Sequence, residues 1–217
     1  MINFEDLKDA ELGKTFPKNE LRYCCKRIYG GVSWPGKRPG FAVVLGMGND
    51  KHFDSYDIYL LDEFESIDTR ELVRQCGVMD LKYEPHMWIG DNRNDAADKF
   101  IWEMNTERGK PDDSQINVRC LSICSTQILE MAFPYQYILP ELKRMLDKGR
   151  RQLFLKSSKT VDSLAAIEPQ EISALEIGEF PAVEALAFAA FEIRGYGAQR
   201  RKSVRRIKKP QSPMVMA

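Results

Sequence analysis

The stretch His86-Met87-Trp88-Ile89-Gly90-Asp91-Asn92-Arg93-Asn94-Asp95 constrains this chain most. An apolar run ends in a carboxylate and a polar turn follows. Ala96, Ala97, Phe100, Ile101 and Met104 then recur at helical spacing. The pattern predicts a buried strand that delivers Asp91 to its C-terminal tip, with a helix leading away. In open α/β sheets such tips are where ligands and metals collect. Function therefore turns on Asp91 and on the acids that fold beside it.

Other segments supply the rest of a sheet. Phe41 to Met47 reads as a strand of the continuous apolar kind. Gly48-Asn49-Asp50 is a turn signal, and Tyr56 to Leu61 is a second strand joined loosely enough for a hairpin. Asp68 reads as an N-cap with Glu71 three positions on, ahead of a helical stripe of Leu72, Val73, Cys76 and Met79 that Gly77 weakens near its end. A polar loop over 106–115 precedes a strand from Ile116 to Ile123. A short helix opens at Pro140 and ends at Gly149, and Leu153-Phe154-Leu155 reads as an edge strand.

Pro181 to Ile193 is apolar nearly all round, which predicts a buried helix. Its first turn carries Glu184, a residue that costs several kcal/mol to bury charged without a partner. Residues 1–40, with Gly30-Gly31, Pro35-Gly36 and Pro39-Gly40, read as a loop-rich extension in which 22–29 forms a short helix or a strand. The expected organisation is thus an extension over 1–40, an α/β domain over 41–195 and a basic, disordered tail over 196–217. The element order predicts a mixed sheet flanked by helices.

Charge is unevenly placed. The net formal charge is zero, yet Arg200, Arg201, Lys202, Arg205, Arg206, Lys208 and Lys209 crowd one segment. Without them the remainder carries about −7, an acidic body with a basic tail. Such a tail either grips a phosphate backbone or is a solvated end that keeps the protein soluble. No apolar run approaches the roughly 20 residues of a bilayer span. The acidic N-terminus lacks the parts of a signal peptide. A soluble, cytoplasmic protein with no membrane partner is expected. Five cysteines, an odd count, read as buried thiols rather than disulfides or a zinc site. Trp34, Trp88 and Trp102 are expected in the core. Neither His52 nor His86 has a nucleophile motif near it, which argues against nucleophilic catalysis.

A hairpin that turns parallel, an acid at a strand tip and an acid on a late helix together suggest a ribonuclease-H-like site. Ile58 to Phe64, the helix after it and Trp88-Ile89-Gly90-Asp91 resemble the nuclease domain of phage terminase large subunits. Glu179-Phe180-Pro181-Ala182-Val183-Glu184-Ala185-Leu186-Ala187-Phe188-Ala189 is similar to that family's closing helix, with Glu184 where its last aspartate stands. The resemblance covers about residues 40–194. It implies a ribonuclease-H-like α/β fold and a metal-dependent endonuclease that cuts viral double-stranded DNA during packaging in the cytoplasm of a bacterial host, using Mg²⁺ or Mn²⁺, two ions if the site is intact. It implies Asp91 and Glu184 as catalytic and metal-binding residues, with Glu63, Asp50 and Asp54 as further candidate ligands and the tail cations on DNA. The motor's phosphate loop is missing, so a separate packaging ATPase, a small terminase or a portal protein is the expected partner.

The chain also departs from the family. The family's first strand carries an aspartate in a G-x-D setting, and the segment taken to correspond, Val44-Leu45-Gly46-Met47-Gly48, has no acid. Pro181 stands where the family often has histidine. A catalytically decayed module of the same fold, serving DNA binding or packaging assembly, is the alternative reading.

Overall fold

The computed structural model describes residues 25–48, 57–90, 95–108, 121, 123–125, 140, 142, 144–146, 153–154, 159–166 and 179–193. Its strands are β1 (Cys25–Ser33), β2 (Gly40–Gly48), β3 (Ile58–Ser66), β4 (Met87–Gly90), β5 (Ile123–Ser125) and β6 (Leu153–Phe154). Its helices are α1 (Thr69–Tyr83), α2 (Asp95–Arg108), α3 (Lys159–Ala165) and α4 (Pro181–Ile193), and residues 140, 142 and 144–146 are also helical. The strands form one sheet in the order β5-β4-β1-β2-β3-β6. β1, β2 and β3 make an antiparallel meander, while β4 runs parallel to β1, β5 to β4 and β6 to β3. This is the mixed α/β sheet flanked by helices that the sequence predicts.

The meander begins one strand earlier than expected. Within the loop-rich region expected over 1–40, the described residues 25–33 form β1, the strand alternative for 22–29, which lies inside the sheet between β2 and β4; residues 1–24 lie outside the described residues. Gly30 and Gly31 mask it, because glycine weakens a strand and packs no side chain. Here both serve close approach. A Cβ on Gly30 would lie 2.3 Å from the Trp88 ring, and one on Gly31 would lie 2.0 Å from the Ala185 carbonyl oxygen of α4. The strand expected over 116–123 meets β5 only at Ile123; Leu121 is not in a strand, and residues 116–120 and 122 lie outside the described residues.

Period-two alternation sorts the strand residues onto two cores. On one face Phe41, Val43, Leu45, Met47, Ile58, Leu60 and Ile89 pack under α4 and the helical residues Leu142, Met145 and Leu146. On the other, Ile28, Val32, Ala42, Val44 and Trp88 pack under Leu72, Val73, Cys76 and Met79 of α1 and Ala97 and Ile101 of α2. The result is three layers, helix, sheet and helix. Residues 181–190 of α4 are all buried, as its apolar composition predicts. Trp34 and Trp88 are core residues, whereas Trp102 is 68% exposed on α2, against expectation. No helix among the described residues is long and apolar enough to cross a membrane.

α1 starts where the sequence places it, though not by a full capping box. Asp68 accepts from the Arg70 N–H at 2.9 Å, while the Asp68 N–H donates to Ser66 Oγ instead of to Glu71. Glu71 is held by Arg74 and Gln75. The helix continues through Gly77, where Met104 and Arg108 of α2 occupy the space a side chain would need. It ends at Glu84, which is left-handed at φ 48°.

Candidate functional site

α4 opens on a capped first turn. The Phe180 carbonyl accepts from the N–H groups of Val183 and Glu184, each at 3.0 Å. Close approach of α4 to Gly31 lays this turn over the C-terminal end of β1. Glu184 is fully buried there, and its Oε2 accepts a 2.6 Å hydrogen bond from Ser33 Oγ. Ser33 is the last residue of β1 and is itself fully buried. That distance is the one expected for a hydroxyl donating to a carboxylate.

Three parallel strands end at the same level. Val32 of β1 pairs with Gly90, the last residue of β4, and Gly90 pairs with Ser125, the last residue of β5. Ser33 follows Val32 and, by alternation with Gly31, stands on the α4 face of the sheet. The tip of the central strand therefore carries a buried hydroxyl bound to a buried carboxylate, where an α/β sheet gathers its ligands.

This topology corrects the alignment made from sequence. The strand beside β4 is β1, not Phe41 to Met47. It ends Gly31-Val32-Ser33, which repeats the G-x-D spacing with serine in place of aspartate. Ser33 is the residue at this strand tip that the sequence does not single out. Its signal was that spacing, ahead of Pro35-Gly36, hidden by a strand that did not look like one.

Glu63 is not brought to Glu184. A bulge at Leu61, where β3 shifts register against β2 between Leu60 and Asp62, turns Glu63 and Glu65 toward α3. Glu63 accepts from the Lys159 N–H at 3.1 Å and from Thr160 Oγ1 at 2.6 Å, which anchors the start of α3. Glu65 pairs with the Lys159 ammonium. β3 is two strands from β1, about 10 Å at ordinary strand spacing. Asp62 faces the opposite side, where it accepts from Tyr83 at 2.9 Å and Lys82 at 2.8 Å. Asp91, Asp50, Asp54, Arg200, Arg201, Lys202, Arg205, Arg206, Lys208 and Lys209 lie outside the described residues.

Among the described residues no group of three or more His, Cys, Asp or Glu side chains is placed to hold a metal ion. One carboxylate and one hydroxyl at the β1 tip do not fit a pair of divalent ions, which calls for several carboxylates.

No family model matches the chain, and no curated protein matches it. Solved structures do. The g2p large-terminase nuclease domain of bacteriophage SPP1, solved with bound Mn, superposes with TM-score 0.51 at 15% identity, over 85% of this chain and 94% of that one. The human cytomegalovirus terminase nuclease domain, Mn-soaked and inhibitor-bound, gives 0.50 at 10% identity, over 92% and 98%. The large-terminase nuclease of thermophilic phage G20c gives 0.50 at 14%, over 76% and 81%. The chain has the ribonuclease-H-like fold of these nuclease domains.

Proposed function

We propose that this chain is a DNA-packaging protein of the terminase large-subunit nuclease kind. It engages double-stranded DNA together with a divalent cation, Mg²⁺ or Mn²⁺, shared by Asp91 and Glu184. The observation that carries this reading is the buried Ser33–Glu184 hydrogen bond at the tip of β1, set beside the parallel register of β4. Asp91 is the residue after Gly90, and Gly90 pairs with the residue before Ser33. That adjacency in the chain is what supports assigning Asp91 to the same site as Glu184.

Hydrolysis of a phosphodiester makes two electrostatic demands, an activated water and a stabilised leaving oxygen. A divalent cation, when bound, supplies positive charge at the scissile phosphate. Asp91 and Glu184 are the acids that would hold it. Ser33 fixes the rotamer of Glu184, and α4 shields that carboxylate from water. Serine stands on the central strand where a further carboxylate would serve a second ion. That same serine favours a second reading, in which the fold is kept to bind DNA or assemble the packaging machine without cutting. In either case a packaging ATPase, small terminase and portal are the partners of this reading, and the setting is the cytoplasm of the infected host.

Supercoiled plasmid incubated with Mn²⁺ and the full chain tests both. Cutting by the wild type that Asp91→Ala abolishes supports the nuclease. Duplex binding without cutting by the wild type, with cutting by Ser33→Asp, supports the decayed module. Neither binding nor cutting by any of the three overturns the proposal.

A further inference from the structure

We infer that the β1–β2 hairpin turn is a phosphate-backbone contact, with Lys37 and Arg38 as its donors, at the rim of the Ser33–Glu184 site. This rests on the DNA-handling reading above and adds the surface by which the substrate is held. The turn follows directly from the site: Ser33 donates to Glu184, and Lys37 and Arg38 stand exposed a few residues on. Its shape is fixed. The Gly36 N–H donates to the Arg38 carbonyl at 3.0 Å, and at Gly40 a Cβ would lie 2.5 Å from Pro35, so the arm folds tightly back.

Arg38 is also held in place. Its guanidinium lies over the Phe180 ring, 5.5 Å from the centroid. Phe180 is the residue whose carbonyl caps the first turn of α4 and receives the Glu184 N–H. One residue thus links the position of the guanidinium to that of the buried acid. A guanidinium resting on a ring keeps its N–H fork directed outward at little entropic cost, which suits a phosphate oxygen pair.

Charge supplies the need. Acids at a strand tip repel a polyanion, and outside the C-terminal basic segment the chain is acidic. A phosphate backbone that reaches this tip requires cations at its edge, and the turn provides two, of which Arg38 lies against Phe180 at the start of α4. Contacts of this kind set register on the duplex and read no sequence.

The test is fluorescence anisotropy of the full chain on a labelled mixed-sequence duplex of about 25 base pairs, in EDTA, across a salt series. The Lys37→Ala/Arg38→Ala double variant is expected to bind about tenfold more weakly, with a salt slope shallower by about 2. Arg38→Lys keeps the charge but loses the fork and the ring contact, and is expected to fall between the two. Lys99→Ala, on α2 across the sheet, is the control and stays within about twofold. Wild-type binding that the double variant reproduces in affinity and slope overturns this inference alone and leaves the DNA-handling reading standing. A wild-type chain that binds no duplex at any salt overturns that reading, and this inference with it.

Discussion

Ser33 and Glu184 show how one side chain decides what a site does. The carboxylate is removed from water entirely, and the hydroxyl at 2.6 Å is its partner from the central strand. Ser33→Ala removes one donor of this buried, charge-assisted hydrogen bond, which costs about 1–3 kcal/mol in urea unfolding. A second test at this scale uses Tyr83. Burial, above all, pushes its hydroxyl up to about 12; the Asp62 carboxylate adds to the rise and the Lys82 ammonium opposes it. Below the ordinary phenol value of about 10, both folded and unfolded chains keep the proton and nothing changes. Between about 10 and 12 the unfolded chain loses it first, so stability falls as pH rises through that window, by roughly 2 kcal/mol. Comparing alkaline unfolding of the wild type with Tyr83→Phe measures this; a slope that survives the substitution assigns it to other groups.

Among the elements, β1 and α4 make the site by their closeness. Gly31 is what permits it, since any Cβ there meets the α4 backbone rather than a side chain that can turn aside. Gly31→Ala is therefore expected to lower stability by about 2–3 kcal/mol or more, seen as a lower melting temperature, and to separate Ser33 from Glu184. A melting temperature equal to that of the wild type contradicts the close approach. The same glycines explain what the sequence concealed. β2, α1, β4, α2 and α4 were legible because their apolar spacing and caps are local signals. β1 was legible only as an open choice between helix and strand over 22–29, because Gly30 and Gly31 are explained by Trp88 and Ala185, which are remote in the chain. Leaving that choice open moved the expected G-x-D position onto β2 and hid Ser33. The partners of Glu63 were hidden for a similar reason. Which way it faces depends on the bulge at Leu61 and on Thr160, 97 residues away.

For the whole molecule, the sheet order β5-β4-β1-β2-β3-β6 places the parallel strand ends together and keeps the β3 acids apart from them. The architecture is that of terminase nuclease domains, while among the described residues the β1 tip holds fewer carboxylates than a two-ion centre requires. A cation that binds only the folded chain raises its stability by RT ln(1 + [L]/Kd), about 2.7 kcal/mol at a hundredfold excess over Kd. Mn²⁺ is therefore expected to raise the melting temperature of the wild type and not that of Asp91→Ala. The most direct test counts the ions. Electron paramagnetic resonance of free Mn²⁺, titrated with the full chain, is expected to show about one ion bound per chain, lost in Asp91→Ala and in Glu184→Gln. Binding that both variants retain, or no binding by the wild type, would contradict a cation shared between these two acids.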